Sequence, residues 1–251
     1  MRIRCAGQTD VGRVRENNED SHLIDEPRGL YVVADGMGGH LGGKMASSLA
    51  VKTVGENVAE HDSELGEGAS ATPLESSSVP RLLADAVRAA CAAIFEAAQG
   101  DAELQGMGTT VTAMLVRSDR AFIAHVGDSR CYLQRGERVI QITDDHSLVN
   151  EQIKAGLISR EQARASRLKN IITRSVGFER DVAVDTFALP LQAGDKFLMC
   201  SDGLANFVDD TEIGLALAQL PLDDVPKTMI ELANERGGDD NITVVCVAAE
   251  A

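Results

Sequence analysis

The spacing of apolar positions changes period several times along the chain, and each change predicts an element. Residues 2–7 and 21–25 show the partial alternation of strands, and the unbroken apolar run Leu30–Ala34 reads as a buried strand. Pro27-Arg28-Gly29 is a hairpin signal between the last two, so they are expected to pair and bring Asp20 and Asp35 to one end. From Lys44 to Ala59, residues Met45, Leu49, Val51 and Val54 approximate a helical face. A second helix is expected over Arg81–Gln99, with Leu82, Leu83, Val87, Ala90 and Ile94 on one side. Residues 61–80 between them are rich in Ser, Gly, Glu and Pro and follow neither period, which predicts a mobile loop.

Four β-rich runs follow: Thr109–Val116, Ala121–Val126, Arg130–Gln134 and Arg138–Ile142. Turn residues separate them, so they read as one antiparallel meander. Residues 146–170 are polar and helix-prone, at Ser147–Ala155 and Ser159–Arg167, and predict a surface excursion. Strands return at Val182–Leu189 and Lys196–Met199. Helices are expected around Thr211–Gln219 and Val225–Glu235, and a last strand over Ile242–Ala248.

Composition narrows the use of this scaffold. A chain of 251 residues with 44% hydrophobic content can fill a substantial core. Its net charge of −15 argues against a nucleic-acid or anionic-membrane surface. No run approaches the ~20 apolar residues of a membrane span, and no signal-peptide core follows the N-terminus, so a soluble cytoplasmic protein is expected. Cys5, Cys91, Cys131, Cys200 and Cys246 are scattered through apolar runs without a C-x-x-C pair or a C-x5-R loop. They read as reduced core residues.

Candidate chemistry concentrates in acids beside glycines. The run Leu30–Ala34 ends in Asp35-Gly36-Met37-Gly38-Gly39-His40, which suits a hard metal ion or a phosphate held by backbone N–H groups. The same pairing recurs at Gly127-Asp128, Asp202-Gly203 and Gly238-Asp239-Asp240, and Glu19-Asp20 opens a strand. One Asp-Gly is only a turn. If several converge, their repulsion opposes folding unless cations neutralise them, and an all-oxygen set suits Mg²⁺ or Mn²⁺ rather than zinc. Two such ions ~3.5–4 Å apart polarise a phosphoryl group and lower the pKa of water toward ~7.

Seven segments in order carry a family resemblance: Arg15-Glu-Asn-Asn-Glu19-Asp20, Val33-Ala-Asp35-Gly36-Met-Gly-Gly-His40, Gly108-Thr109-Thr110, Val126-Gly-Asp128-Ser129-Arg130, Asp145-His146-Ser147, Cys200-Ser-Asp202-Gly203 and Gly237-Gly-Asp-Asp240-Asn241. The chain resembles the bacterial metal-dependent serine/threonine protein phosphatases of type 2C, the PPM family, along essentially its whole length. The resemblance implies one catalytic domain over residues 1–251 and an α+β fold, a four-layer α-β-β-α sandwich of two antiparallel sheets with helix pairs on the outer faces. It implies two Mn²⁺ or Mg²⁺ ions, with Asp35 bridging them, the Gly36 carbonyl on one and Asp202 and Asp240 on the other. Glu19 and Asp20 would act at the pair directly or through water, and Asp128 with Asp202 matches a third, weaker metal site. Arg15 would grip the phosphate, with Arg13 its rival, and His40 would protonate the departing alkoxide. Phosphorylated protein substrates of serine/threonine kinases, a monomeric state and a flap over about 144–175 complete the expectation. His22 and His125 lie in strand patterns and read as structural.

Rival readings remain. Gly38 to Lys44 satisfies G-x-x-x-x-G-K after a strand, but Met45 stands where the Mg²⁺-holding hydroxyl of a P-loop belongs. Ser166-Arg-Leu-Lys169 fits S-x-x-K without the accompanying motifs of an acyl-serine enzyme. A non-catalytic phosphatase-like domain that binds phosphoproteins is the third alternative.

Overall fold

The computed structural model describes residues 1–39, 41–62 and 78–251. In chain order the strands and helices are β1 (Arg2–Asp10), β2 (Ser21–Asp25), β3 (Leu30–Ala34), β4 (Gly36–Met37), α1 (Gly42–Glu60), α2 (Val79–Gly100), β5 (Gly108–Thr109), β6 (Val111–Arg117), β7 (Arg120–Val126), β8 (Arg130–Arg135) and β9 (Arg138–Gln141). They continue as α3 (Leu148–Lys154), α4 (Arg160–Arg164), β10 (Asp185–Pro190), β11 (Lys196–Cys200), α5 (Asp202–Ala205), α6 (Asp210–Gln219), α7 (Val225–Glu235) and β12 (Ile242–Glu250). One sheet has the order β1-β12-β11-β8-β9 and the other β10-β7-β6-β3-β2, all neighbours antiparallel.

Side-chain alternation assigns the layers. In β3, Tyr31 and Val33 pack with Met114, Phe197, Met199, Val245 and Val247 between the sheets, whereas Leu30, Val32 and Ala34 face α1 and α2. In β12, Val244, Cys246 and Ala248 turn the other way, onto α6 and α7. Strands buried on both faces read as continuous apolar runs because each side of the pleat meets a different core. The result is the expected four-layer α-β-β-α sandwich. Local signals start the outer helices: Asp209 and Glu212 form a capping box on α6, and Pro80 and Pro226 occupy first-turn positions of α2 and α7.

Several expectations are corrected. The first strand runs to Asp10 rather than ending at residue 7, since β12 pairs with it over its full length. Met45 is exposed, and the buried stripe of α1 is instead Ala46, Ala50, Val54 and Val58, whose small size at the first turns suits its contact with α2. Of the expected 61–80 loop, Val79 and Pro80 belong to α2, and residues 63–77 lie outside the described residues. The meander is not one sheet. β6 and β7 belong to one sheet and β8 and β9 to the other, and Gly127-Asp128-Ser129 crosses between them.

Gly127 makes that crossing with φ +113°, and a Cβ there would stand 2.5 Å from Thr110 Cγ2. Gly127→Ala therefore combines a disfavoured backbone with a clash, and a loss of roughly 2 kcal/mol is expected as a lower denaturant midpoint at unchanged slope. A midpoint equal to that of the parent would show that the crossing relaxes freely.

Candidate active site

The site lies where the two sheets end. In the hairpin register Ser21 faces Ala34, which sets Asp20 and Asp35 at one end of β2 and β3 as the pattern of residues 20–35 implied. Asp35 then enters a two-stranded ribbon in which Gly36 pairs with Thr109 and Met37 with Gly108. The Asp35 N–H donates to Thr110 Oγ1 (3.0 Å), and its carbonyl accepts from Thr110 N–H (2.9 Å) and Thr109 Oγ1 (2.8 Å). The main chain of Asp35 is thus held independently of its carboxylate. Gly36 is needed for packing, because a Cβ there would meet the Gly43 carbonyl oxygen at 2.1 Å and that of Glu19 at 2.6 Å.

From the other sheet, Asp202 opens α5 at the end of β11, and Asp240 precedes β12. Asn241 fastens the N-terminal segment to them: its Oδ1 accepts from Glu19 N–H (2.7 Å), and its Nδ2 donates to the carbonyls of Val11 and Asn17 (2.9 Å each). Arg15 donates from a half-exposed guanidinium to Asp240 Oδ2 at 2.7 Å. A cavity of about 700 Å³ results, with Arg15, Glu19, Asp35, Gly36, Asp128, Asp202 and Asp240 in its lining. Arg13 does not line it, and its main-chain N–H bonds to Gly238 instead.

Asp20 is placed differently from the other acids. It is 2% exposed and absent from the cavity lining, with Oδ2 accepting from Ser201 Oγ and Thr243 Oγ1 at 2.7 Å each. Ser201, Thr243, Thr109, Thr110 and Asn241 are the supporting groups that the acid-glycine pattern did not single out. Part of the signal was a hydroxyl or amide beside an acid, Ser201 before Asp202 and Asn241 after Asp240, whereas Thr109 and Thr110 have no acid next to them in the sequence. His40 falls outside the described residues.

The carboxylates burden one another. Burial is the main cause that raises Asp20, Asp35, Asp128 and Asp202 above the ordinary carboxylate range, and neighbouring acids add to it: Asp202 and Asp240 on Asp20, Asp20 and Asp202 on Asp35, Asp202 on Asp128, and Asp240 on Asp202. Among the described residues, the buried oxygens Asp20 Oδ1 and Asp128 Oδ1 accept no hydrogen bond. Orphaned oxygens, mutual repulsion and an all-oxygen donor set fit hard divalent cations. No three His, Cys, Asp or Glu side chains among the described residues are drawn together closely enough to enclose an ion by themselves.

The P-loop alternative finds no support in this geometry. Lys44 Nζ donates to the Asp20 carbonyl (2.7 Å) and lies 3.2 Å from Ser21 Oγ, so it anchors the start of β2. The strand before the glycines sits in an antiparallel sheet. Ser166 of the S-x-x-K match accepts from Leu168 N–H between α4 and β10.

Comparison with known proteins agrees with the geometry. The profile of the family described as Protein phosphatase 2C matches residues 11–243. Protein phosphatase PhpP of Streptococcus pneumoniae is 39% identical over 244 residues, covering 96% of this chain and 95% of that protein. The Mycobacterium tuberculosis serine/threonine phosphatase PstP/Ppp superposes with a TM-score of 0.86 at 35% identity, covering 99% of each chain. The catalytic domain of serine/threonine protein phosphatase PstP in complex with two manganese ions gives a TM-score of 0.86 at 34% identity, again with 99% of each chain covered. With the fold, the order of the acidic segments and a match across nearly its whole length in agreement, the chain belongs to the protein phosphatase 2C family.

Proposed function

We propose that this protein is a metal-dependent phosphatase that hydrolyses phosphoserine and phosphothreonine in proteins. The observation that carries the reading is the convergence of five acids from both sheets, Glu19, Asp35, Asp128, Asp202 and Asp240, on one cavity with Arg15 at its edge. Two Mn²⁺ or Mg²⁺ ions, when bound, supply an activated water and polarise the phosphoryl group. Asp35, the Gly36 carbonyl, Asp202 and Asp240 would hold the two ions, with Asp35 serving both. Glu19 faces the cavity, whereas Asp20, pinned by Ser201 and Thr243, acts from beneath it through water. Asp128, with its orphaned oxygen, is assigned to a third, weaker cation together with Asp202.

Arg15 is assigned the orienting of the phosphate. Its ion pair with Asp240 holds the guanidinium at the rim, and its planar fork matches two phosphate oxygens. His40 is assigned the general-acid role from its place in the Asp35–His40 motif. The substrates are phosphoproteins made by serine/threonine kinases, and the protein acts as a monomer in the cytoplasm. Two features support that setting: five free cysteines, and no helix among the described residues long and apolar enough to cross a membrane. The direct test is phosphate release from a phosphothreonine peptide with Mn²⁺, with and without chelator. Absence of release from cation-loaded protein would favour the non-catalytic phosphoprotein-binding alternative.

The cavity electrostatics give a second expected outcome. Raised carboxyl pKa values mean that the folded metal-free protein holds more protons than the unfolded chain. The stability these groups contribute is therefore fully present below the unfolded values and is lost as pH rises through the raised ones. Cations that replace those protons act in the opposite sense. At a hundredfold excess over Kd, Mg²⁺ or Mn²⁺ should add about 2.7 kcal/mol, a melting increase of roughly 5–10 °C for a chain of this size. Scanning calorimetry should show a larger increment near pH 8 than near pH 5.5, and equal increments would contradict the assignment.

A further inference from the structure

The histidine of Asp145-His146-Ser147 has no part in the chemistry above, yet it is buried and all its polar atoms are engaged. Its backbone N–H donates to the Gly127 carbonyl (2.7 Å), and its backbone carbonyl accepts from Thr173 N–H (2.8 Å). Its ring Nδ1 accepts from Gly127 N–H (3.0 Å), and Nε2 lies 3.1 Å from Asp185 Oδ2 on β10. Arg174 NH1 donates to Asp185 Oδ1 at 2.6 Å and stands 3.0 Å from Nε2.

Two donors face the ring, Gly127 N–H at Nδ1 and Arg174 NH1 at Nε2, and a neutral ring accepts from only one of them. The Asp185 carboxylate 3.1 Å from Nε2 calls for the proton there, which leaves Nδ1 bare for Gly127 N–H and turns Arg174 to Asp185 Oδ1. His125 closes the other side, its ring centroid 4.8 Å away, with Nδ1 3.0 Å from the Thr112 hydroxyl and Nε2 3.2 Å from the Asp144 carbonyl. Burial lowers the proton affinity of both rings, that of His125 to about 4, which keeps both neutral.

The placement matters because of what lies on either side. Gly127 is gripped through both its N–H and its carbonyl by one residue, and Asp128, with its orphaned oxygen, follows directly. On the other side the two stems of the 146–170 excursion are joined by the Ser147–Ile172 bridge and by Leu148 N–H to the Ile171 carbonyl (2.9 Å). His146 thus touches the Asp128 turn, the returning stem at Thr173 and β10 at once.

We propose that His146 is a positioning residue that clasps Gly127 by both its N–H and its carbonyl and thereby fixes the Gly127-Asp128 turn, so that the cation affinity of Asp128 depends on the His146 ring. The inference rests on the reading of Asp128 as a cation-binding residue.

Two substitutions separate the halves of the clasp. His146→Asn places an amide oxygen near the position of Nδ1 and keeps an acceptor for Gly127 N–H. His146→Gln reaches the position of Nε2, keeps the Asp185 partner and leaves Gly127 N–H unpaired. In calorimetric Mn²⁺ titration the Gln variant should weaken the weakest binding event about tenfold or more, with tighter events unchanged, and the Asn variant should stay within about threefold of the parent. In an Asp128→Asn background, His146→Gln should cause no further change in affinity. Nitrogen spectra of histidine-labelled parent protein should show His146 with its proton on Nε2 and an Nδ1 signal that moves when Mg²⁺ is added. They decide the matter with the Asn variant if the Gln variant does not fold. An Nδ1–H tautomer, equal weakening in both variants, or an undiminished effect in the Asp128→Asn background would overturn the proposal. None of these readouts uses turnover, so an inactive but cation-binding parent would sink the phosphatase reading and leave this inference standing.

Discussion

Asp35→Asn should reduce phosphopeptide turnover by about 10³-fold or more, equivalent to ~4 kcal/mol of barrier, while leaving the metal-free protein at least as stable as the parent. The two effects have one origin. Asp35 is half-buried among Asp20, Asp128, Asp202 and Asp240, each of which raises its pKa, so replacing it with a neutral isostere relieves repulsion in the metal-free fold. Its main chain is held by Thr109 and Thr110 and not by the carboxylate, so the amide should keep the backbone in place. The loss is electrostatic: a neutral oxygen and an NH₂ group replace an anion assigned to both cations. Turnover under saturating Mn²⁺ and melting temperature in chelator measure the two parts. Turnover within tenfold of the parent would remove Asp35 from the shared position, and a joint loss of activity and stability would mean that the carboxylate is structural.

His40→Ala should slow release from a phosphothreonine peptide about 10²-fold or more and leave p-nitrophenyl phosphate nearly unchanged. The contrast follows from the leaving groups. A serine or threonine alkoxide is strongly basic and departs only with a proton, whereas p-nitrophenolate spreads its charge over the ring and needs none. Cation-induced stabilisation should match the parent, since the acids that line the cavity are untouched. An undiminished phosphopeptide rate would take His40 out of the general-acid role, and equal losses on both substrates would point to positioning.

The parts of the fold legible in the sequence were those in which local pattern and tertiary environment agree. The run Leu30–Ala34 and the turn at Pro27–Gly29 were readable because a strand with a core on each face must be apolar throughout, and a tight turn demands its own residues. The limits of α7, Val225–Glu235, also match the expectation, with Pro226 in its first turn. The face of α1 was misread because its buried side is made of Ala46, Ala50 and Gly43 rather than large residues, while Met45 points to solvent. Hydrophobic spacing carries little signal where close approach requires small side chains.

By itself, the sequence singled out the acids proposed to carry the chemistry: Asp35, Asp128 and Asp202 stand directly beside a glycine and Asp240 one residue beyond Gly238-Asp239, and their order carries the family resemblance. Through the resemblance it also put Arg15 ahead of Arg13 as the expected phosphate-binding group. Tertiary structure alone decided that the strands after residue 110 divide between two sheets at Gly127, which puts Asp128 in the same cavity as Asp35. It also decided that Asp20 lies beneath the cavity and not in its wall, and that His146 holds the Asp128 turn. The physical reason is that an acid's role depends on which donors and which charges surround it. Ser201 and Thr243 reach Asp20 from more than 180 residues away, a distance across which no local periodicity carries information.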